Sequence, residues 1–277
     1  IEYAQGERID NNERKLGDHA IYFSSKWSPS SLFAFKPAIR LSYNSKFKVP
    51  IIPSLNMILK KNQYSFRFSY AKGFRSPSLK ELFFEFVDIN HNIVGNRNLQ
   101  SENSDNFQIN LDFEERFNDF KFELGTKLFY NNIKNLITLA QSPSTTEYTY
   151  FNLGLYKTKG LSANLNLSTE KLNFSLSASN TGRYNDLSEQ GNVEDYSYST
   201  ALSSSINYSF KKYYTTASLY FNYTGKLPVF YKDSNEEIIQ SEIESYQLFD
   251  FILKKSFYSG KMNLSFGIKN IFDVQDI

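Results

Sequence analysis

Tyr64-Ser-Phe-Arg-Phe-Ser-Tyr-Ala71, running straight into Lys72-Gly-Phe-Arg-Ser-Pro77, decides how this chain is read. In the first eight residues rings alternate with small or charged side chains. A period of two puts Tyr64, Phe66, Phe68 and Tyr70 on one face and Ser65, Arg67 and Ser69 on the other. That is a strand with one oily and one wet face. Gly73 and Pro77 then turn the chain out of the strand. A polar and aromatic loop at about residues 72–105 follows, holding His91 and the run Gly95-Asn-Arg-Asn-Leu99, and a second alternating strand from Asn106 to Phe113 closes it. Most connections in compact domains are about 4–6 residues, and far longer ones are usually functional. This loop is therefore expected to be the working end.

The same alternation extends in both directions. Upstream, Ile1 to Gly17 reads as a polar loop, His19 to Trp27 as a strand, and Phe33 to Tyr43 as a longer one. Pro37 interrupts that strand and marks an edge or a bulge. Leu55, Met57 and Leu59 form another. Downstream, strands are expected around Phe120–Tyr130, Leu161–Leu167, Leu172–Ala178, Leu202–Phe210, Tyr213–Tyr223, Gln247–Leu253 and Met262–Ile268. The count is about twelve strands. The one helical suggestion is Ser78 to Val87, inside the long loop, where Leu79, Leu82, Phe83 and Phe86 share a face.

Short turns are read near residues 29, 61, 118, 171, 212 and 260, and longer loops near 44–53, 72–105, 139–148, 183–196 and 225–245. They alternate without a miss. Short turns at one end and long loops at the other are the habit of an outer-membrane barrel. The expected fold is thus all-β, an antiparallel transmembrane β-barrel, with residues 1–277 belonging to one barrel domain.

Composition agrees with this and excludes other classes. The 277 residues carry 20 Tyr and 26 Phe beside one Trp, with a net charge of +2 and no cysteine, and mean hydropathy is −0.47. A polar average with so many rings fits a wall that is apolar outside, polar inside and belted with aromatics. The charge is too balanced for a nucleic-acid partner, and disulfides and thiolate metal sites are ruled out. No apolar run approaches the roughly 18 residues of a membrane helix. There is no phosphate-binding Gly loop after a strand, no histidine beside a serine nucleophile, and no two-His metal spacing, so no enzyme is expected. Two other classes remain open at this level: a passive porin or adhesin barrel, and a soluble all-β binding domain.

Two boxes narrow the reading. Tyr70-Ala-Lys-Gly-Phe-Arg-Ser-Pro-Ser-Leu-Lys-Glu-Leu82 and Gly95-Asn-Arg-Asn-Leu-Gln-Ser-Glu102 resemble the loop of TonB-dependent outer-membrane receptors. Haem-transporting members of that family carry FRAP and NPNL or NPDL boxes with a histidine between. Gly267-Ile-Lys-Asn-Ile-Phe-Asp273 is similar to the family's penultimate-strand pattern. Asn131-Asn-Ile-Lys-Asn-Leu-Ile137, Tyr150-Phe-Asn-Leu-Gly154 and Gly160 also fit. Ser76 stands where the first box has alanine, and Arg97 where the second has proline.

The resemblance implies a 22-stranded barrel in the Gram-negative outer membrane, of which this chain supplies about strands 10 to 21, as a processed or truncated piece. The plug, the first nine strands and the closing strand are expected outside it. The implied partners are outer-membrane lipid, the receptor's own plug domain and the TonB energising complex, with room for a surface lipoprotein. The implied cargo is an iron-containing ligand: haem first, a ferric siderophore next, then cobalamin or an oligosaccharide. No permanent cofactor is implied.

The candidate ligand-binding residues are His91, Arg75, Phe83, Phe86, Asn96, Arg97 and Asn98. His91 would be the haem-iron ligand, since neutral imidazole binds haem iron well, or else a solvated loop histidine. Arg75, Lys72, Lys80 and Arg97 would form a basic rim for acidic groups of the ligand, or Arg75 and Glu81 would brace the loop against the wall. Gly73, Phe74, Ser76, Pro77, Glu81, Gly95 and Leu99 are expected to shape the loop. His19 is read as an interface residue.

Overall fold

The computed structural model describes residues 2–4, 14–87, 92–141, 147–186, 196–232 and 238–275. Its elements are β1 (Glu2–Ala4), β2 (Arg14–Leu16), β3 (Asp18–Ser24), β4 (Phe33–Asn44), β5 (Ile52–Lys61), β6 (Tyr64–Arg75), α1 (Leu79–Phe83), β7 (Glu85–Val87), β8 (Asn92–Val94) and β9 (Glu102–Phe117). The second half holds β10 (Phe120–Gln141), β11 (Glu147–Ser168), β12 (Leu172–Asn185), β13 (Ser197–Phe210), β14 (Thr215–Thr224), β15 (Leu227–Lys232), β16 (Ile238–Ile243), β17 (Tyr246–Phe257) and β18 (Met262–Ile268).

Twelve of these strands, β3 to β6, β9 to β14, β17 and β18, form one antiparallel meander in chain order. Among the described residues β3 and β18 are its two free edges, so the sheet is an open sector of a barrel. Register shows why alternation was so regular. Phe66 faces Leu111, Ile109 faces Leu128, and Leu128 faces Leu161. Further along, Ile206, Leu219, Phe251 and Ile268 stand in one row. The opposite face carries Arg67, Asn110, Lys127, Ser162 and Ser179 in a row. Apolar side chains on the first face are exposed to the surroundings, Leu128 by 53% and Phe66 by 41%.

Aromatic rows bound the apolar face. At the short-turn end Tyr64, Phe113 and Phe122 stack at ring distances of 4.9 and 5.8 Å. At the other end Tyr70, Phe107 and Tyr130 do so at 4.9 and 6.5 Å. The tight turns at 62–63 and 118–119 hold Asn62 and Asn118 at φ of 52° and 49°, a conformation asparagine tolerates better than most residues. Pro37 lies within β4, opposite Leu55. Its carbonyl accepts from Ser25 N–H just past the end of β3, so the donor that proline lacks falls where the β3 ladder breaks.

The structure corrects the sequence reading where chain leaves the wall. Residues 2–16 are not all loop: β1 and β2 pair in a separate two-stranded sheet. The stretches read as loops at 139–148 and 225–245 contain strand. β10 and β11 are 22 residues each, about twice what crosses a bilayer. Their projecting ends carry a branch of the same sheet, in the order β7, β8, β11, β10, β15, β16. The long loop is also tighter than read, because β6 continues through Arg75 and β9 begins at Glu102. The helix is shorter than Ser78 to Val87; it ends at Phe83, and residues 85–87 form β7.

A folded loop as candidate ligand-binding site

The described residues of the connection, 76–87 and 92–101, form a small folded unit. Pro77 is fully buried, and Ser78 then caps α1. Ser78 Oγ accepts from Glu81 N–H at 3.2 Å, and the Glu81 carboxylate accepts from Ser78 N–H at 2.8 Å, a reciprocal capping box. The same carboxylate accepts two hydrogen bonds from Arg75 Nη1, at 2.8 and 2.9 Å. Arg75 Nη2 donates to Glu102 at 2.6 Å, and Glu102 also accepts from Ile137 N–H at 2.7 Å. One guanidinium thus ties the end of β6, the helix, the start of β9 and the upper part of β10. The hydrogen bond to Glu102 pushes the arginine above its ordinary pKa, and that to Glu81 adds to it against partial burial. It stays charged at any working pH.

The second box lies flat on the helix end. Gly95 N–H donates to Phe84 O at 2.7 Å and Asn96 N–H to Glu81 O at 2.8 Å. A Cβ on Gly95 would stand 2.8 to 2.9 Å from backbone atoms of Leu82, Phe83 and Phe84, so only glycine permits this approach. Asn96 Nδ2 donates to Tyr150 O at 2.9 Å, while its Oδ1 accepts from Asn98 N–H at 2.9 Å. Leu99, 4% exposed, packs with Leu82 and Ile137, and Phe47, Phe83 and Tyr150 surround them. Burial, and then the charge of Glu81, raise the pKa of the Tyr150 phenol. Ser76 accepts from Asn44 Nδ2 at 3.3 Å. Gly73 and Phe74 continue β6, paired with Ser104 and Asn103, and a Cβ on Gly73 would strike Ser104 Oγ.

The chemistry concentrates on Phe83. Arg14 lies 4.5 Å, Lys46 4.8 Å and Arg97 5.6 Å from its ring centroid. Lys80 lies over Phe84 at 5.2 Å. The cations on Phe83 come from β2, the 45–51 connection and the second box. Arg97 and Phe83 were candidates from sequence; Arg14 and Lys46 were not, because nothing local ties positions so far apart. Lys72 is elsewhere, on the outer face, 3.8 Å from Asp105. Phe86 belongs to β7, paired with Ile93. His91 lies outside the described residues.

An antiparallel wall with an apolar face, tight turns at one end and a built loop at the other defines a sector of a large transmembrane-type β-barrel. The chain belongs to the TonB dependent receptor-like, beta-barrel family, whose model matches residues 3–271. Among solved structures it is similar to the siderophore receptor PirA from Pseudomonas aeruginosa, with 18% identity and a TM-score of 0.69 over 99% of this chain and 46% of that one. It is also similar to a point variant of the ferric enterobactin receptor PfeA from the same organism, at 16% identity and a TM-score of 0.69 over 95% and 40%. The FrpB iron transporter from Neisseria meningitidis matches at 16% and 0.66 over 94% and 42%. At such identities the likeness is one of fold. The chain spans less than half the length of these three structures. No curated protein matches the sequence.

Proposed function

We propose that this barrel is part of an outer-membrane receptor that captures an anionic ferric chelate, a ferric siderophore, and admits it by TonB-coupled transport. The observation that carries the ligand class is the convergence of Arg14, Lys46 and Arg97 on one ring. Three cations brought to one ring from separate parts of the chain make this end of the loop attractive to an anion. Iron(III) held by catecholate or carboxylate oxygens is such an anion, and Phe83 offers a flat surface to an aromatic chelator. A siderophore receptor and a ferric enterobactin receptor share the fold, which supports the same class of cargo. In the whole receptor a plug would fill the lumen, and TonB, driven by the proton gradient, would shift it. The ligand is cargo, and the barrel performs no covalent chemistry on it.

A second reading has one specific observation behind it, the place of His91 between the two boxes. There it would meet the iron of haem, with Phe86 and the surrounding aromatics against the macrocycle.

Titration of the full-length receptor with ferric enterobactin and, separately, with haemin distinguishes the two. The chelate is expected to bind, and Lys46→Ala with Arg97→Ala to weaken it roughly tenfold or more, as the charge-assisted contacts are lost. Haemin is expected to leave its Soret band unmoved. A Soret shift that His91→Ala abolishes would replace the first reading by the second. Binding of neither probe would remove both.

A further inference from the structure

The polar face of the wall, which lines the lumen, differs from one side to the other. On β11 to β14 it is built from small uncharged side chains, and Asn164, Ser177, Ser203 and Asn222 make one row across all four strands. Among the described residues Arg183, near the loop end of β12, is the one charge on this face of those strands. On β4 to β10 the same face carries cations. Arg40 and Lys36 lie on β4, opposite Ile52 and Asn56. Arg67 lies on β6, level with Asn110 and then Lys127.

The run begins at the loop site. Asn44 Oδ1, at the end of β4, accepts from Lys46 N–H and Phe47 N–H, both at 2.9 Å. It thereby holds the segment that brings Lys46 to Phe83. From Asn44 the polar face of β4 descends to Ser42, whose hydroxyl accepts from Arg40 Nε at 2.9 Å, and then to Arg40 and Lys36. At the usual strand rise those two are about 13 Å apart. Arg67 is one lumen-facing position lower and two strands across, and Lys127 two strands beyond it. Each of these steps is about 10–12 Å at ordinary strand spacing.

Hollows follow the same course. One of about 180 Å³ is lined by Lys26, Lys36, Asn56 and Arg67, and a second of about 770 Å³ runs from Arg67 toward the short turns. Among the described residues no carboxylate lies within ion-pair distance of Lys36, Arg40, Arg67 or Lys127. Acids enter only in the larger hollow, where Asp112, Glu114 and Glu123 stand with Lys60 and Arg116. Charge balances there, and the cationic run ends.

We propose that Arg40, Lys36, Arg67 and Lys127 form the transit route of the anionic ferric chelate, which descends the lumen along the β4–β10 wall after leaving the loop. The route rests on the capture reading above and adds to it a side of the lumen and an order of contacts. A cleft lined by one sign of charge raises the local concentration of the opposite ion. Passage also requires sites that attract enough for entry yet release to the next. Cations spaced along a wall meet both conditions, because none grips the chelate with its neighbours and the next is one step away. The uncharged wall of β11 to β14 exerts no such pull. At the short-turn end the balanced charges let the chelate go.

The test uses full-length receptor in cells that lack their own ferric enterobactin receptor, with radiolabelled ferric enterobactin as probe. Binding is measured on de-energised cells and uptake on energised ones. The combined Lys36→Gln, Arg40→Gln and Arg67→Gln variant is expected to bind as the unmutated receptor does. Its uptake is expected to be slower by about tenfold or more. Lys36→Arg with Arg40→Lys and Arg67→Lys keeps every charge and should take up the chelate at the original rate. Retained binding shows that a variant is folded, and Arg67→Gln alone reads the same split if the triple variant fails to reach the membrane. Unchanged uptake in the glutamine variants would overturn the proposal, as would equal loss in the charge-conserving one. Binding lost in step with uptake would place these residues in capture instead. New sensitivity of the cells to vancomycin would show that they hold the plug, and would overturn the route as well. Absence of binding by the unmutated receptor would remove the capture reading, and the route with it.

Discussion

The wall and the loop use leucine to opposite ends. Leu128 on the wall is 53% exposed and sits in a row of other exposed apolar side chains, whereas Leu99 in the loop is 4% exposed and has a core around it. The wall is held by its hydrogen-bonded ladder, and its outer side chains match a solvent. The loop has no long ladder of its own. It is held by burial of Leu82, Leu99 and Ile137, by the capping box and by Arg75 between two carboxylates. A wall residue therefore matters through its polarity, and a loop residue through its shape and partners.

The sharpest way to break that comparison is to truncate the same residue type in both places. Leu99→Ala is expected to cost about 2–5 kcal/mol of the loop's local stability, read as faster amide exchange over 78–101 with the wall unchanged. Leu128→Ala should leave both nearly as they were. If the two substitutions behaved alike, the loop would have no core of its own.

Polarity gives the reverse contrast. Leu111→Arg, opposite Thr126 and midway between the two aromatic rows, puts a charge on the lipid face at an expected cost of about 2–4 kcal/mol near the bilayer midplane, measured by chemical unfolding of the receptor in liposomes. Loop exchange should not move. A wall that tolerated arginine at this position would not be facing hydrocarbon.

Smaller effects sharpen the picture of the loop. Gly95→Ala forces a Cβ against backbone that cannot swing away, and a cost of roughly 1–3 kcal/mol is expected. Calorimetric titration should show weaker capture of the ferric chelate, with barrel circular dichroism intact. Arg75→Ala should cost less, about 1 kcal/mol, because its side chain is 43% exposed and solvent screens the pairs. Glu102 keeps its bond from Ile137 N–H in that variant, so the upper part of β10 should exchange as before while α1 exchanges faster.

These differences also explain what could be read from the chain. On the wall each residue's environment is set by its parity, so Tyr64 to Tyr70 and Phe107 to Phe113 announce both strand and face, and twelve strands emerge from alternation. The alternation of turn lengths places the loop at one end for the same reason. Within the loop, local signals reached the helical turn that begins after Ser78 and the glycine of the second box.

They did not reach features that depend on distant chain. The β1–β2 hairpin has three residues a side, too few to establish a period. β15 and β16 lie beyond the apolar belt, where no lipid enforces alternation. Arg14 and Lys46 are separated from Phe83 by whole strands, and only the folded chain brings them together. Two of the three cations that define the proposed ligand class are thus ones that no local signal could find.

Amide exchange of the full-length receptor, with and without saturating ferric enterobactin, tests the central claim that this loop captures the chelate. Slower exchange at Glu81, Gly95 and Asn96, with no change along β9 and β10 within the wall, is the expected result. Unchanged exchange across 78–101 in the chelate-bound receptor would contradict it.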